Sequence, residues 1–320
     1  METSPLQPMK LRPHISEAVW GGSRLAERYH IDPRGLANTA EAWVLSAHPK
    51  GGSTVETGPF AGQPLESLFA AHPALFGSRC AGKETFPVLV KLIDAKEDLS
   101  LQVHPRDGDA ALRPGDAGKT ECWYILEAPP GAKLYLGFRE AITRRQFAAA
   151  IENKTIMSYV EPFDVEEGDF FFIPAGTLHA IGKGVLLAEV QQSSDTTYRV
   201  YDYNRLQDGA PRELHIEQAE AVTDLLPYEP PRQKWGLFGA KKLCECDYFT
   251  VEERGARFGF SDEAEDGSFV HLLILEADDG AQLEWEDLEM PIRQGDSILI
   301  PAGAGKFSVG GNVRALVTSV

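Results

Sequence analysis

Two stretches of this chain carry side chains that could hold a metal ion. Leu99-Ser-Leu-Gln-Val-His104 alternates apolar and polar residues. A strand has a side-chain period of two, so Ser100, Gln102 and His104 are expected on one face and Leu99, Leu101 and Val103 on the other. Gly168-Asp-Phe-Phe-Phe-Ile-Pro-Ala-Gly-Thr-Leu-His179 reads as an apolar strand closed by a Pro-x-Gly turn, which presents His179 at the start of the next strand. Two inward histidines on neighbouring strands, with a glutamine two residues from one of them, make half of a metal site. Glu121, ahead of the strand-like Cys122-Trp-Tyr-Ile-Leu126, is the carboxylate candidate, although its local sequence fits an ordinary strand-end acid equally well. Imidazole nitrogen and carboxylate oxygen suit zinc, and also iron or manganese. With one carboxylate and a neutral glutamine amide, a divalent ion keeps a net charge of about +1 and stays Lewis acidic. A strand histidine is ordinarily a hydrogen-bonded structural residue, and that reading is kept for His14, His30, His48, His72, His215 and His271. His104 and His179 differ because each stands in a patterned context.

The elements that must position these residues are mostly short strands: Val88–Ala95, Leu99–His104, Cys122–Leu126, Phe170–Ile173, Val185–Gln191 and Tyr198–Tyr203 are rich in β-branched, aromatic and alternating residues. Helical spacing is confined to Pro64–Ala71 and to Thr143–Ile151, where a Thr cap is followed three positions later by Gln146. Gly168-Asp-Phe-Phe-Phe-Ile-Pro-Ala-Gly176 recurs as Gly295-Asp-Ser-Ile-Leu-Ile-Pro-Ala-Gly303, but the residue three past the final glycine is His179 in the first copy and Lys306 in the second. The fold element is duplicated and the ligand is not. Pro227, Pro230 and Pro231 cluster in Leu225–Lys234 and mark a boundary. We therefore expect a mainly β chain of two barrels. Residues 1–228 would carry the metal and the helical elaborations, and residues 229–320 a second barrel without ligands.

Composition narrows the function classes. A length of 320 residues suits two units. A net charge of −17 argues against a nucleic-acid partner, since phosphate neutralisation needs clustered Lys and Arg. Salt screens that field within about 8 Å, so local cations can still hold a phosphate. The chain shows no apolar run of membrane-span length and no basic-then-apolar leader. Cys80, Cys122, Cys244 and Cys246 lack metal or redox spacing and read as free thiols. A cytoplasmic protein is expected, monomeric or weakly homo-oligomeric.

The Gly-x5-Pro-x-Gly-x2-His grammar resembles the second motif of cupins. Taken together, Val19-Trp-Gly-Gly22, Glu41-Ala-Trp-Val-Leu-Ser-Ala-His-Pro49, Val90-Lys-Leu-Ile-Asp-Ala95, Leu99-Ser-Leu-Gln-Val-His-Pro105, Gly118-Lys-Thr-Glu-Cys-Trp-Tyr124, Pro174-Ala-Gly-Thr-Leu-His179 and Tyr198-Arg-Val-Tyr-Asp-Tyr203 are similar to the type I mannose-6-phosphate isomerases in their shorter bacterial form. The matches keep the family's order over the first two thirds of the chain; the last third matches loosely. The resemblance implies two cupin-type (jelly-roll) barrels and one zinc ion per chain, bound by Gln102, His104, Glu121 and His179. It also implies that Arg199 is an active-site arginine, whose bland alternative is an ion pair with Asp202. Gln102-Val-His104 in place of His-x-His, and a glutamate displaced to Glu121 by the Pro105–Gly118 insertion, favour this family over iron dioxygenase cupins. The implied reaction interconverts mannose 6-phosphate and fructose 6-phosphate through an enediolate. Ser100, on the face of Gln102 and His104, and Lys119, beside Glu121, are the expected substrate contacts. A metal-dependent cupin oxygenase and a non-catalytic sugar-phosphate-binding cupin are the alternatives.

Overall fold

The register of the strands explains which side chains reach the interior. The computed structural model describes residues 4–207, 209–229 and 240–320. A six-stranded sheet runs in the order Phe170–Ile173, Glu121–Glu127, Leu186–Gln192, Val88–Asp94, Thr39–Leu45, His14–Gly22. A five-stranded sheet runs in the order Val160–Asp164, Lys133–Phe138, His179–Ile181, Leu101–Val103, Tyr198–Tyr201. Trp123, Ile125 and Leu187 from the first pack against Leu134, Leu136 and Ile181 from the second, closing a barrel. Every residue of Val88–Asp94 is buried because both faces of that sheet are covered. Lys91 and Ile93 turn into the barrel, while Val88, Val90 and Leu92 pack with Phe249, Leu273 and Leu316 of the C-terminal segment.

The C-terminal segment pairs a seven-stranded with a four-stranded sheet around its own core, including Leu272, Leu283, Ile298 and Phe307. Met9–Arg12 and Thr54–Val55 complete the seven-stranded sheet, with Met9 opposite Leu299. The sequence repeat is a structural repeat. Its strands are Phe170–Ile173 and Ser297–Ile300, and Gly168 and Gly295 enter their turns at φ of 88° and 87°, a region that costs little only for glycine. His179 is buried, whereas Lys306 is exposed on the strand Gly305–Gly310. Pro227 lies among the described residues; 230–234 of the expected boundary lie outside them.

The helix Arg144–Glu152 starts at Thr143, whose hydroxyl accepts from Gln146 N at 3.2 Å while Gln146 Oε1 accepts from Thr143 N at 2.9 Å. This is the reciprocal cap expected of Thr-x-x-Gln. With Ile216–Val222 it covers the outer face of the five-stranded sheet, through Phe147, Ala150, Ala219 and Val222 against Leu101, Val103, Tyr198 and Val200. Leu101 and Val103 are thus turned outward and Gln102 inward, as the alternation predicts. Leu99 departs from it: the strand begins at Leu101, and Leu99 packs inside the barrel with Trp20, Ile93 and Trp123. Among the described residues no helix is long and apolar enough to cross a membrane.

Candidate metal centre

Strand register brings the sequence-predicted ligands to one place. His179 stands directly opposite Gln102, and Gln102 directly opposite Arg199, so a row of three side chains crosses the five-stranded sheet on its inner face. His104 follows Gln102 by two residues on that face. Glu121 comes from the opposing six-stranded sheet. Its Oε2 is 3.5 Å from His104 Nε2 and its Oε1 is 3.5 Å from His179 Nε2. Ligand atoms of His104, Glu121 and His179 all lie within 4.8 Å of one another. Gln102 Nε2 is 3.4 Å from His179 Nε2, and a turn of the amide would put its oxygen there instead.

The donor set fits a cation. His104 Nδ1 is 2.9 Å from the Thr196 carbonyl and His179 Nδ1 is 2.8 Å from the Thr177 carbonyl. Each carbonyl can only accept, so Nδ1 carries the hydrogen and Nε2 turns its lone pair to the centre. Glu121 Oε1 is fully buried with no hydrogen-bond partner, an arrangement that costs free energy unless something positive meets it. Burial drives the His104 pKa well below its ordinary value and that of His179 down to about 4, so both imidazoles are neutral, as ligation requires. Burial, followed by the nearby Glu189 carboxylate, pushes Glu121 above the usual carboxylate range.

A cavity of about 390 Å³ opens beside these residues, within the size range of small-molecule sites. Ser100, Gln102, Lys119 and Arg199 line it. Lys119 Nζ donates to Glu121 Oε2 at 2.6 Å and lies 3.2 Å from His104 Nε2 and 3.6 Å from Glu189 Oε1. Ser100 Oγ sits between Arg199 Nε at 3.3 Å and Gln102 Oε1 at 3.4 Å. Arg199 donates through Nη1 to the Glu213 carbonyl at 2.9 Å. Asp202, its expected bland partner, is held instead by Arg205 and Arg212.

Residues that the sequence reading passed over also reach the cavity. Glu189, in the middle of the strand Leu186–Gln192, accepts from Trp123 Nε1 at 3.0 Å and lies 3.3 Å from Lys91 Nζ. Burial alone would raise it, but Lys119 and Lys91 outweigh burial and hold it down at about 2. A charge interrupting the apolar run Val185–Val190 was the available signal for Glu189. Arg113, Arg212 and His215 line the cavity as well, and His215 Nδ1 accepts from the Arg199 backbone N–H at 3.2 Å. His215 is therefore part of the cavity wall, beyond the purely structural part expected of it.

Residues 9–124 match the family described as phosphomannose isomerase type I, catalytic domain. The mannose-6-phosphate isomerase ManA of Bacillus subtilis (strain 168) is 35% identical, with 98% of each chain covered. A mannose-6-phosphate isomerase of Streptococcus mutans is 43% identical over 67% of this chain and 66% of its own. The crystal structure of the mannose 6-phosphate isomerase from Bacillus subtilis superposes with a TM-score of 0.90 at 35% identity, covering 98% of this chain and 99% of that one.

Proposed function

The chain belongs to the type I phosphomannose isomerase family and interconverts mannose 6-phosphate and fructose 6-phosphate; from that premise we propose that Gln102, His104, Glu121 and His179 hold one zinc ion per chain and that Arg199 is the catalytic arginine. The observation that carries this reading is the convergence of two neutral imidazoles and an unpartnered buried carboxylate oxygen at a cavity lined by cations. Zinc so held supplies a Lewis acid for the oxygens that gain charge when a proton moves between C2 and C1 of the sugar.

The residues around the site divide the remaining work. Lys91, Arg113, Lys119, Arg199 and Arg212 outnumber Glu17, Glu41, Glu189 and Asp195 on the cavity wall in a chain of net charge −17, so with a divalent ion bound the local field favours an anionic sugar phosphate although the whole molecule repels one. Arg113 and Arg212 are the guanidinium donors for the phosphate end. Burial and the neighbouring Arg212 lower the Arg199 pKa from its usual value, but a guanidinium keeps its proton, so Arg199 stabilises charge and positions the sugar; it is no base. Ser100 Oγ, between Arg199 and Gln102, is placed to meet a sugar hydroxyl. Lys119 is the expected substrate contact whose surroundings give it a second task. Bonded to Glu121 Oε2 and close to His104, it fixes the carboxylate as well as facing the cavity. The metal chemistry belongs to residues 1–228 and a supporting role to 229–320, where Lys306 takes the place of His179. The four cysteines are free thiols, which fits a cytoplasmic setting.

A coupled assay with mannose 6-phosphate, on zinc-loaded and chelator-treated protein with oxygen uptake followed in parallel, tests the reading. Turnover that requires metal and consumes no oxygen is expected. Oxygen uptake would point to a cupin oxygenase, and sugar-phosphate binding without isomerisation to a sensor; either result sinks the proposal.

A further inference from the structure

Behind the ligand cluster the cavity wall carries a second charged row. Across neighbouring strands of the six-stranded sheet, Trp43 stands opposite Lys91, Lys91 opposite Glu189, and Glu189 opposite Trp123. All four therefore project into the barrel. Lys91 is only 5% exposed. Its Nζ is 3.3 Å from Glu189 Oε1, 3.9 Å from Glu41 Oε2, and 5.0 Å from the centroid of the Trp43 ring. Glu41 Oε2 is itself fixed by Trp43 Nε1 at 2.7 Å, with Ser16 Oγ at 3.5 Å. Nothing in the metal centre requires Glu41, since its carboxylate meets Lys91, Trp43 and Ser16 and none of the proposed ligands.

We propose that Glu41 is a positioning residue for the isomerase reaction: its carboxylate, clamped by the Trp43 indole N–H, holds Lys91 as an ammonium aimed into the cavity against the sugar oxygens. The inference rests on the isomerase reading above and adds a residue to it. A buried amine sheds its proton unless anions compensate the lost hydration. Glu189 cannot serve Lys91 alone, because Lys119 lies 3.6 Å from the same oxygen. Glu121 cannot serve Lys119 alone once its own charge is shared with a divalent ion. Two ammoniums then depend on Glu189, and Glu41 makes good the deficit. The groups facing Lys91 are the anions Glu41, Glu189, Glu121 and Asp195, the cation Lys119, and two neutral histidines, His48 and His104, whose own pKa values burial lowers. Burial would lower the Lys91 pKa, and the carboxylates reverse this and raise it, Glu41 first among them. The indole face adds a cation–π contact that only the charged form gains.

Glu41→Gln keeps the volume and an acceptor for Trp43 Nε1 but removes the charge. In the zinc-loaded enzyme kcat at neutral pH should fall at least about tenfold, with KM within about twofold of wild type and zinc content unchanged, and Glu41→Asp, which keeps the charge, should recover part of the loss. Labelling with an amine-reactive reagent at pH 8 to 9, mapped by mass spectrometry, should modify Lys91 faster in Glu41→Gln than in wild type. Unchanged kcat together with unchanged labelling would overturn the proposal. So would equal losses in Glu41→Asp and Glu41→Gln, which is what a packing role without the charge gives. Inactive wild-type protein would instead count against the isomerase reading itself, so the two failures are distinguishable.

Discussion

Thermal stabilisation by zinc would separate the proposed ligand set from the arginine beside it. His179 Nε2 lies 3.5 Å from Glu121 Oε1. The Arg199 side chain reaches Ser100 Oγ and the Glu213 carbonyl; it meets the set through Ser100, whose hydroxyl is 3.4 Å from Gln102 Oε1, and through the strand pairing with Gln102. An ion that binds only the folded chain stabilises it by RT ln(1 + [L]/Kd), about 2.7 kcal/mol at roughly a hundred times Kd. At roughly 2 °C per kcal/mol for a chain of this size, that is a rise in Tm of about 5 °C. His179→Ala deletes one of the proposed donors. If binding weakens about a thousandfold, some 4 kcal/mol, the same zinc stands at about a tenth of the new Kd and contributes less than about 0.1 kcal/mol. Arg199→Ala disturbs only a neighbour of a ligand, a change worth about tenfold. Zinc then stands at about ten times Kd and still contributes about 1.4 kcal/mol, roughly half the wild-type effect. Differential scanning fluorimetry with zinc and with chelator should therefore show shifts of about 5 °C for wild type, none for His179→Ala and about 2 to 3 °C for Arg199→Ala, with turnover lost in both variants. A full shift in His179→Ala, or none in Arg199→Ala, refutes the assignment of roles.

Two further predictions concern the second barrel and the turn it shares with the first. His271 is buried, with Nε2 2.8 Å from Ser297 Oγ and Nδ1 unpartnered, and burial lowers its pKa to about 3. A folded-state value below the unfolded one favours the neutral ring, so its contribution is complete above pH 6.5 or so and is lost as pH falls toward about 3, at up to about 1.4 kcal/mol per unit. Urea unfolding of wild type and His271→Leu between pH 7 and 4 should diverge by that slope, and parallel curves would contradict the burial argument. The paired repeat glycines should respond unequally to alanine. A Cβ on Gly168 meets nothing within 4 Å, whereas one on Gly295 would lie 1.9 Å from the Tyr29 carbonyl oxygen. Gly168→Ala is expected to cost about 1 to 2 kcal/mol from its backbone alone, and Gly295→Ala at least about 3 kcal/mol because the end of the helix Arg24–Tyr29 must also move; equal losses would refute the comparison.

Much of the ligand row was legible because a strand's period of two assigns faces without any knowledge of the partner. Gln102 and His104 follow from that rule, and His179 from the turn that precedes it. Lys119 lies just ahead of the strand Glu121–Glu127, beyond the reach of that rule; the reading gave it to the substrate and the structure bonds it to Glu121 as well. Leu99 broke the rule because alternation does not say where a strand begins. The capping box at Thr143 needed only local chemistry and formed as expected.

The sequence by itself determined six strands of the first barrel, the inward faces of Gln102 and His104, the duplicated Gly-Asp…Pro-Ala-Gly element and the replacement of His179 by Lys306 in its second copy. Each of these depends on residues near one another in the chain. Tertiary structure alone decided which strands lie side by side. Register sets Lys91 opposite Glu189 and Gln102 opposite both His179 and Arg199. Packing of the two sheets carries Glu121 across to the histidines and makes the charges within Val88–Asp94 and Leu186–Gln192 interior ones. Periodicity tells a side chain which way to face; what it meets there depends on strand pairing across tens of residues, and no local preference encodes that distance.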